Sequence, residues 1–173
     1  KMDQFDLLLA DPNANWAQIA QLIDVDSFVK MFMVYEFTEN QEIARSSVHF
    51  YKDGTTDKIH AGPVWDFDVA MGNFDDGLYG RGGNPEVDYL ANVVTWRPDG
   101  LGNDWFPQLL KSAAFNNRIR EMYPLYQSRF DDVAGKIYEY RTYVASSASA
   151  NFSRWTGILG NKTLLPYGSR SYA

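Results

Sequence analysis

Cysteine is absent from all 173 residues of the chain. Its absence excludes disulfide bonds, thiol nucleophiles and thiolate zinc sites together. The cellular compartment stays open, because a chain without cysteine suits a reducing cytosol and also many exported bacterial proteins. Any chemistry must therefore come from oxygen and nitrogen side chains.

Long apolar runs and clusters of basic residues are also missing. The longest apolar stretch, Phe28 to Phe37, is interrupted by Lys30 and Glu36 and falls short of the roughly 20 residues that a membrane helix needs. Lys and Arg total 16 against 22 Asp and Glu, for a formal charge of −6, and no basic cluster exceeds a pair. We therefore expect no membrane span and no nucleic-acid partner.

What the chain does contain is typical of one globular domain over residues 1–173. Apolar residues make up 45% and aromatic residues 16%, which is enough for a sizeable core. Apolar stripes at helical spacing predict helices at four places. These are Trp16 to Ile23 capped by Asn13 or Asn15, Asp26 to about Thr38, Trp105 to Pro124 after a possible Asp104 cap, and Phe130 to Val144 over about five turns. Pro124 is expected to bend or end its helix.

Two β-prone runs interrupt the helical pattern. Ser47 to Lys52 and Lys58 to Val64 flank a turn-rich loop of five residues, which predicts a hairpin with His60 opposite Phe50. The hairpin is expected to pack beside the Asp26 to Thr38 helix. With the Trp105 to Pro124 stretch counted as more than one helix, roughly five helices around one hairpin give a mainly helical α+β fold class, without the strand and helix alternation of a Rossmann fold or barrel.

The densest polar segment follows the second predicted strand. Asp66 and Asp68 are two residues apart, so in extended chain both carboxylates point to one side, and such oxygens are the ligands that Mg²⁺ or Ca²⁺ prefers. The alternative is that these acids only cap a turn. From Trp65 to Asn103 the chain shows no stable periodicity, which in a compact domain favours a functional or a mobile segment.

Four stretches of the sequence resemble the CotH kinase family, the atypical kinases related to spore coat protein H. They are IDVDSFVKMFMVYEFTENQEIARSSVHFYKD, GPVWDFDVAMGN, WFPQLLKSAAFNNRI and NFSRWTGILG, and together they span most of the chain from about Ile23 to Gly160. The resemblance implies the C-terminal lobe of a protein-kinase-like fold, working with ATP and Mg²⁺ or Mn²⁺.

The resemblance also assigns candidate roles to individual residues. Asp66 falls where the family has its metal-binding Asp, with Asp68 as a second metal candidate. Upstream, the family pattern is Asn-x-Asp-x4-Asn, and this chain has Asn40, Glu42 and Ser47 at those positions. Glu42 is therefore the candidate catalytic base, while Asn40 and Ser47 are candidates for cofactor binding. Glu replaces Asp and Ser replaces Asn in this pattern.

The same resemblance implies an organisation and a setting. The chain is expected to be a fragment, with the nucleotide-covering lobe upstream of Lys1. The fragment alone should then be inactive and bind metal weakly or not at all. The full-length protein would phosphorylate Ser or Thr of a protein in the spore coat or cell envelope, and would be secreted or lie on the surface of a bacterium.

Two alternatives remain beside an active kinase. The first is a pseudokinase that serves as a binding or structural module of the spore coat or cell surface, which the Glu42 and Ser47 replacements favour. The second is a carbohydrate-binding or Ca²⁺-stabilised surface formed by the aromatic and acidic side chains between Trp65 and Asn103.

Overall fold

The computed structural model describes residues 1–38, 40, 47–67, 70 and 105–156. This part contains six helices and a two-stranded antiparallel sheet, and confirms a mainly helical α+β fold class. The elements are α1 Met2–Ala10, α2 Trp16–Leu22, α3 Val25–Phe37, β1 Phe50–Tyr51, β2 His60–Ala61, α4 Trp105–Leu109, α5 Ala113–Asp131 and α6 Val133–Arg154.

The chain divides into two compact units, residues 1–71 with 85–125 and residues 72–84 with 126–173. The prediction of a single domain over residues 1–173 stays a prediction.

Local side-chain hydrogen bonds set the start of α2 and α3. Asn15 caps α2 through a reciprocal pair of bonds with Gln18, so it is the cap among the two candidates. The predicted start of α3 at Asp26 is wrong by one residue. Asp24 is the cap, because its carboxylate accepts a hydrogen bond from the backbone N–H of Ser27 at 2.8 Å.

The hairpin lies beside α3 as predicted, but its register is wrong by one residue. Tyr51 pairs with His60, and Phe50 pairs with Ala61 rather than with His60. The reason is Ile59, which is fully buried and bonded through its backbone to the α2–α3 connection. Its N–H donates to the carbonyl of Leu22, and its carbonyl accepts from the N–H of Asp24, both at 2.8 Å. Burial of Ile59 therefore outweighs the symmetric pairing that the loop length suggested.

An aromatic cluster forms the core of the first unit and is centred on Phe28 of α3. Its ring lies within 6.4 Å, centroid to centroid, of four other aromatic rings, and Phe28 is fully buried. The four rings come from α1, β1 and α4, namely Phe5, Phe50, Trp105 and Phe106. Edge-to-face and stacked contacts of this kind add to the free energy of simple burial. The cluster therefore ties the hairpin and three helices together.

α5 continues through Pro124, so the expectation that this residue ends the helix is wrong, while a bend at Pro124 stays a prediction. Pro124 lies inside Ala113–Asp131 and its side chain is exposed. Proline has no backbone N–H, so the carbonyl of Arg120, four residues before it, receives no helical hydrogen bond from Pro124. Arg120 is also exposed, so water can hydrogen-bond to this carbonyl. An exposed position is where a helix tolerates proline most easily.

The second unit contains α6, the long helix that the sequence predicted near the C-terminus. It runs for 22 residues, about six turns, and none of them is buried. Ile137, Tyr140 and Val144 of the predicted apolar stripe are all exposed. That the C-terminal helices share one core with the other helices stays a prediction, since α6 belongs to the second unit. None of the helices described combines the length and the hydropathy of a membrane span.

An ion pair joins α3 to α5 within the first unit. The Arg118 guanidinium donates from Nε and Nη2 to the two carboxylate oxygens of Asp26, both at 2.8 Å. These hydrogen bonds, together with the charge of Arg118, lower the pKa of Asp26 below its ordinary value. The bidentate geometry fixes the orientation of one helix against the other.

A matched pair of leucines tests where the core lies. Leu109 is 1% exposed and Leu125 is 72% exposed. Leu109→Ala should lower the free energy of unfolding by about 2 to 5 kcal/mol, because it removes buried methyl groups and leaves a cavity. Leu125→Ala should change it by less than about 0.5 kcal/mol. Urea unfolding followed by circular dichroism measures both, and equal effects would contradict this assignment of the core.

The Asp26–Arg118 pair should make stability depend on pH in the acidic range. Because folding lowers the pKa of Asp26, its contribution is complete above the ordinary Asp value of about 3.9 and is lost as pH falls through the lowered value. Asp26→Asn should therefore lower the urea midpoint near neutral pH, and the gap to wild type should close as pH falls through the lowered pKa of Asp26. Glu139→Gln, which removes an exposed pair within α6, is the control and should have little effect at either pH.

Candidate functional site

Asp66, the predicted metal ligand, lies in an extended segment after β2 and is exposed. Its backbone adopts φ +62°, in the left-handed region that residues with a Cβ rarely occupy. Ser47, the candidate at the family's second Asn position, has φ +56°. Among the described residues, these two are the non-glycine residues with positive φ. Both coincide with candidate site positions, as strained backbone at functional sites often does.

Asn40 lies beside Asp66, although 26 residues separate them in sequence. α3 ends at Phe37, and the backbone N–H of Asn40 then donates to the carbonyl of Tyr35 at 2.9 Å, which turns the chain back on the helix end. The Asn40 side chain is 2% exposed, and its Nδ2 donates to the backbone carbonyl of Asp66 at 2.9 Å. A buried amide thus holds the peptide that follows Asp66.

Ser47 completes the group of predicted residues that the structure brings together. Its hydroxyl lies 3.3 Å from Oδ2 of Asp66 and can donate a hydrogen bond to it. Asn40, Ser47 and Asp66 are therefore neighbours, from three separate segments of the chain. Glu42 and Asp68 lie outside the described residues, as does nearly all of the Trp65 to Asn103 segment.

Tyr35 is the residue of this site that the sequence did not reveal. It belongs to the apolar stripe of α3 and is fully buried, as the periodicity indicated. Its hydroxyl lies 3.1 Å from the carbonyl oxygen of Ser47 and 3.2 Å from that of Trp65. A tyrosine in an apolar stripe carries no signal that its hydroxyl will join two distant segments, so only the structure could identify it.

Aromatic side chains flank the site on both sides. Inside, the ring of Phe67 packs on that of Tyr35 with centroids 5.0 Å apart. Outside, Trp65 is 61% exposed and meets the ring of His49 edge to face at 6.2 Å. Asp66 therefore lies in sequence between the half-buried Phe67 and the exposed Trp65.

The two side-chain donors that the structure brings together here are oxygen atoms. The Asp66 carboxylate and the Ser47 hydroxyl are hard donors, which fit Mg²⁺ or Mn²⁺ better than softer metals. Within the described ranges, no three acidic or histidine side chains gather as a metal-binding cluster. The residues present therefore fit part of a divalent-cation site, and the donor set that they provide is small.

Comparison with known proteins identifies the family of the chain. The family model described as CotH kinase protein matches residues 4–167, nearly the whole sequence. Searches of curated proteins and of solved structures returned no match. A match over this length covers every candidate residue and confirms the resemblance seen in the four sequence stretches. The chain belongs to the CotH kinase family.

Proposed function

We propose that this chain is the metal-binding lobe of a CotH-type kinase, which transfers phosphate from ATP to a Ser or Thr hydroxyl of a protein. The observation that carries the proposal is the contact between Asn40, Asp66 and Ser47, at the positions that the family pattern assigns to its site. A turn-capping role for Asp66 is the simpler alternative. It does not explain why a buried amide and a second left-handed residue converge on this one Asp.

Asp66 is the proposed metal ligand, since it is exposed and the Asn40 amide holds its backbone carbonyl by a hydrogen bond. Ser47 adds one hydroxyl oxygen, and Asp68 is a further candidate ligand from the sequence. A divalent cation held there would neutralise the charge of the ATP phosphates. Asn40 supports Asp66 through the backbone, and a direct contact of Asn40 with the cofactor stays a prediction.

Glu42 is the proposed base, from its position in the family pattern. The acceptor hydroxyl oxygen forms a bond to the γ-phosphorus as the bond to the β,γ-bridging oxygen breaks, and ADP leaves. The hydroxyl proton passes to the Glu42 carboxylate. Glu has one methylene more than the family's Asp, and a misplacement of about 1 Å can lower the rate roughly 10²-fold.

The lobe that grips the nucleotide is proposed to lie upstream in the full-length protein. In protein kinases a Lys on a β-strand contacts the phosphates, whereas α1 and α2 occupy the start of this chain as helices.

We further propose an acceptor protein in the spore coat or cell envelope of a bacterium, with the kinase secreted or surface-exposed. These two proposals rest on the family alone.

Calorimetric titration with Mg²⁺ or Mn²⁺ tests the metal assignment on this chain. Binding should be weak, because sites of this type rely on nucleotide phosphates for most of their ligands. Asp66→Asn should abolish it, whereas Ser47→Asn should strengthen it by adding an amide oxygen. Asp53→Asn in the exposed hairpin loop is the matched control and should bind like wild type. Tight binding that survives Asp66→Asn would overturn the assignment.

A pseudokinase is the second candidate function, and two observations favour it. Glu42 and Ser47 replace the family's Asp and Asn, so both the base and one metal ligand differ from the family pattern. A serine hydroxyl offers less to a cation than an amide oxygen does. The carbohydrate-binding or Ca²⁺-stabilised surface rests on a segment almost entirely outside the described residues, so no contact supports it.

Phosphate transfer by the full-length protein separates the kinase from the pseudokinase. With ATP and Mn²⁺, Asp66→Asn should abolish transfer of the γ-phosphate, and Glu42→Asp should raise it by up to about 10²-fold by restoring the reach of the family's carboxylate. Glu39 directly precedes Asn40 in the sequence and lies outside the family pattern, so Glu39→Asp is the control and should leave the rate unchanged. If neither wild type nor Glu42→Asp transfers phosphate to any of the secreted acceptor proteins tested, the pseudokinase is the better assignment.

A further inference from the structure

Both peptide groups that flank Asp66 are held by buried side chains. The carbonyl of Trp65, which belongs to the peptide before Asp66, lies 3.2 Å from the Tyr35 hydroxyl. The carbonyl of Asp66, which belongs to the peptide after it, accepts the Asn40 amide at 2.9 Å. Fixing the two peptide planes around one Cα fixes φ and ψ of that residue, and with them the direction of its Cα–Cβ bond.

The Tyr35 hydroxyl holds Ser47 by the same means. Its oxygen lies 3.1 Å from the carbonyl of Ser47, so the one phenolic hydrogen can be donated to either carbonyl or shared between them. Ser47 and Asp66 both have positive φ, a conformation that the local chain disfavours and that therefore needs outside support. Tyr35 contacts both of these segments.

We infer that Tyr35 is a positioning residue, whose hydroxyl keeps the backbone of Ser47 and Asp66 in the left-handed conformation and so sets their side-chain oxygens for a divalent cation. The inference about the cation rests on the proposed function, and the inference about the backbone does not. Tyr35 suits this role because it is fully buried on α3 and its ring packs on Phe67. A donor fixed by the core keeps both carbonyls at fixed positions.

Tyr35→Phe is the direct test, since it keeps the ring and removes the hydroxyl. In NMR spectra of ¹⁵N-labelled protein, the amide signals of Val48 and Asp66 should shift, and their amide hydrogens should exchange faster with solvent. Each follows a carbonyl that loses its hydrogen bond, and such a bond polarises the whole peptide group. Tyr51→Phe, on an exposed tyrosine of β1, is the matched control and should leave both signals in place. Unchanged signals in Tyr35→Phe would overturn the inference.

Affinity for Mn²⁺ tests the functional half. Where wild type shows binding that Asp66→Asn abolishes, Tyr35→Phe should weaken it about tenfold, a typical effect of losing an outer-shell hydrogen bond. The circular dichroism spectrum should stay that of wild type. Equal affinity in Tyr35→Phe and wild type would overturn this half. If wild type shows no Asp66-dependent binding, the same comparison is made on the full-length protein with ATP. Absence of Asp66-dependent binding there would mean that the proposed function fails, and the amide signals then decide the backbone inference alone.

A rescue experiment separates positioning from general stability. Asn adopts the left-handed region more readily than Ser, so Ser47→Asn should need the Tyr35 hydroxyl less. Its gain in Mn²⁺ affinity should therefore be larger in the Tyr35→Phe background than in wild type, whereas independent effects would add. Should Tyr35→Phe fail to fold, the carbonyl ¹³C signals of Ser47 and Trp65 in wild type give the second test, because a hydrogen bond from the Tyr35 hydroxyl should move them downfield. Additive gains, or carbonyl signals at the positions of carbonyls without a hydrogen bond, would contradict the inference.

Discussion

Burial of α3 is the constraint on which the rest of the first unit depends. One end of the helix carries Phe28, around which rings from α1, β1 and α4 assemble. The other end carries Tyr35, whose hydroxyl reaches the two segments of the candidate site. Because a helix is a rigid rod over 13 residues, packing at the Phe28 end also fixes the position of the Tyr35 hydroxyl. The aromatic core thus supports the site at a distance.

The sequence predicted elements well where a strong local pattern meets the core, and less well where tertiary contacts decide. The stripe of α3 and the cap of α2 could be predicted, because periodicity and a side-chain cap are local properties. The hairpin register depends on burial of Ile59 against the α2–α3 connection. The number of residues in the hairpin loop, from which the register was predicted, gives no information about that burial. Pro124 was tolerated because its position is exposed, and exposure is also a tertiary property.

The candidate site shows the same division. Asp66 and Ser47 could be proposed from a family pattern, and the structure brings them together with Asn40. Their positive φ could not be predicted, because neither residue is glycine and neither lies in a recognisable turn sequence. The role of Tyr35 could not be predicted either, since in the sequence it is one more aromatic residue of an apolar stripe. Sites held by backbone hydrogen bonds leave little trace in the residues that provide them.

The replacement at Ser47 has two consequences that follow from one backbone angle. In the left-handed region, Asn is favoured over Ser because its short polar side chain can bond locally, so the family's Asn suits this conformation better. Asn would also present an amide oxygen near Asp66, where Ser presents a hydroxyl that can donate to the carboxylate. A donated hydrogen bond uses a lone pair that a cation would otherwise share. The Ser47 contact therefore competes with a cation for the Asp66 carboxylate, which agrees with the weak metal binding expected of this chain.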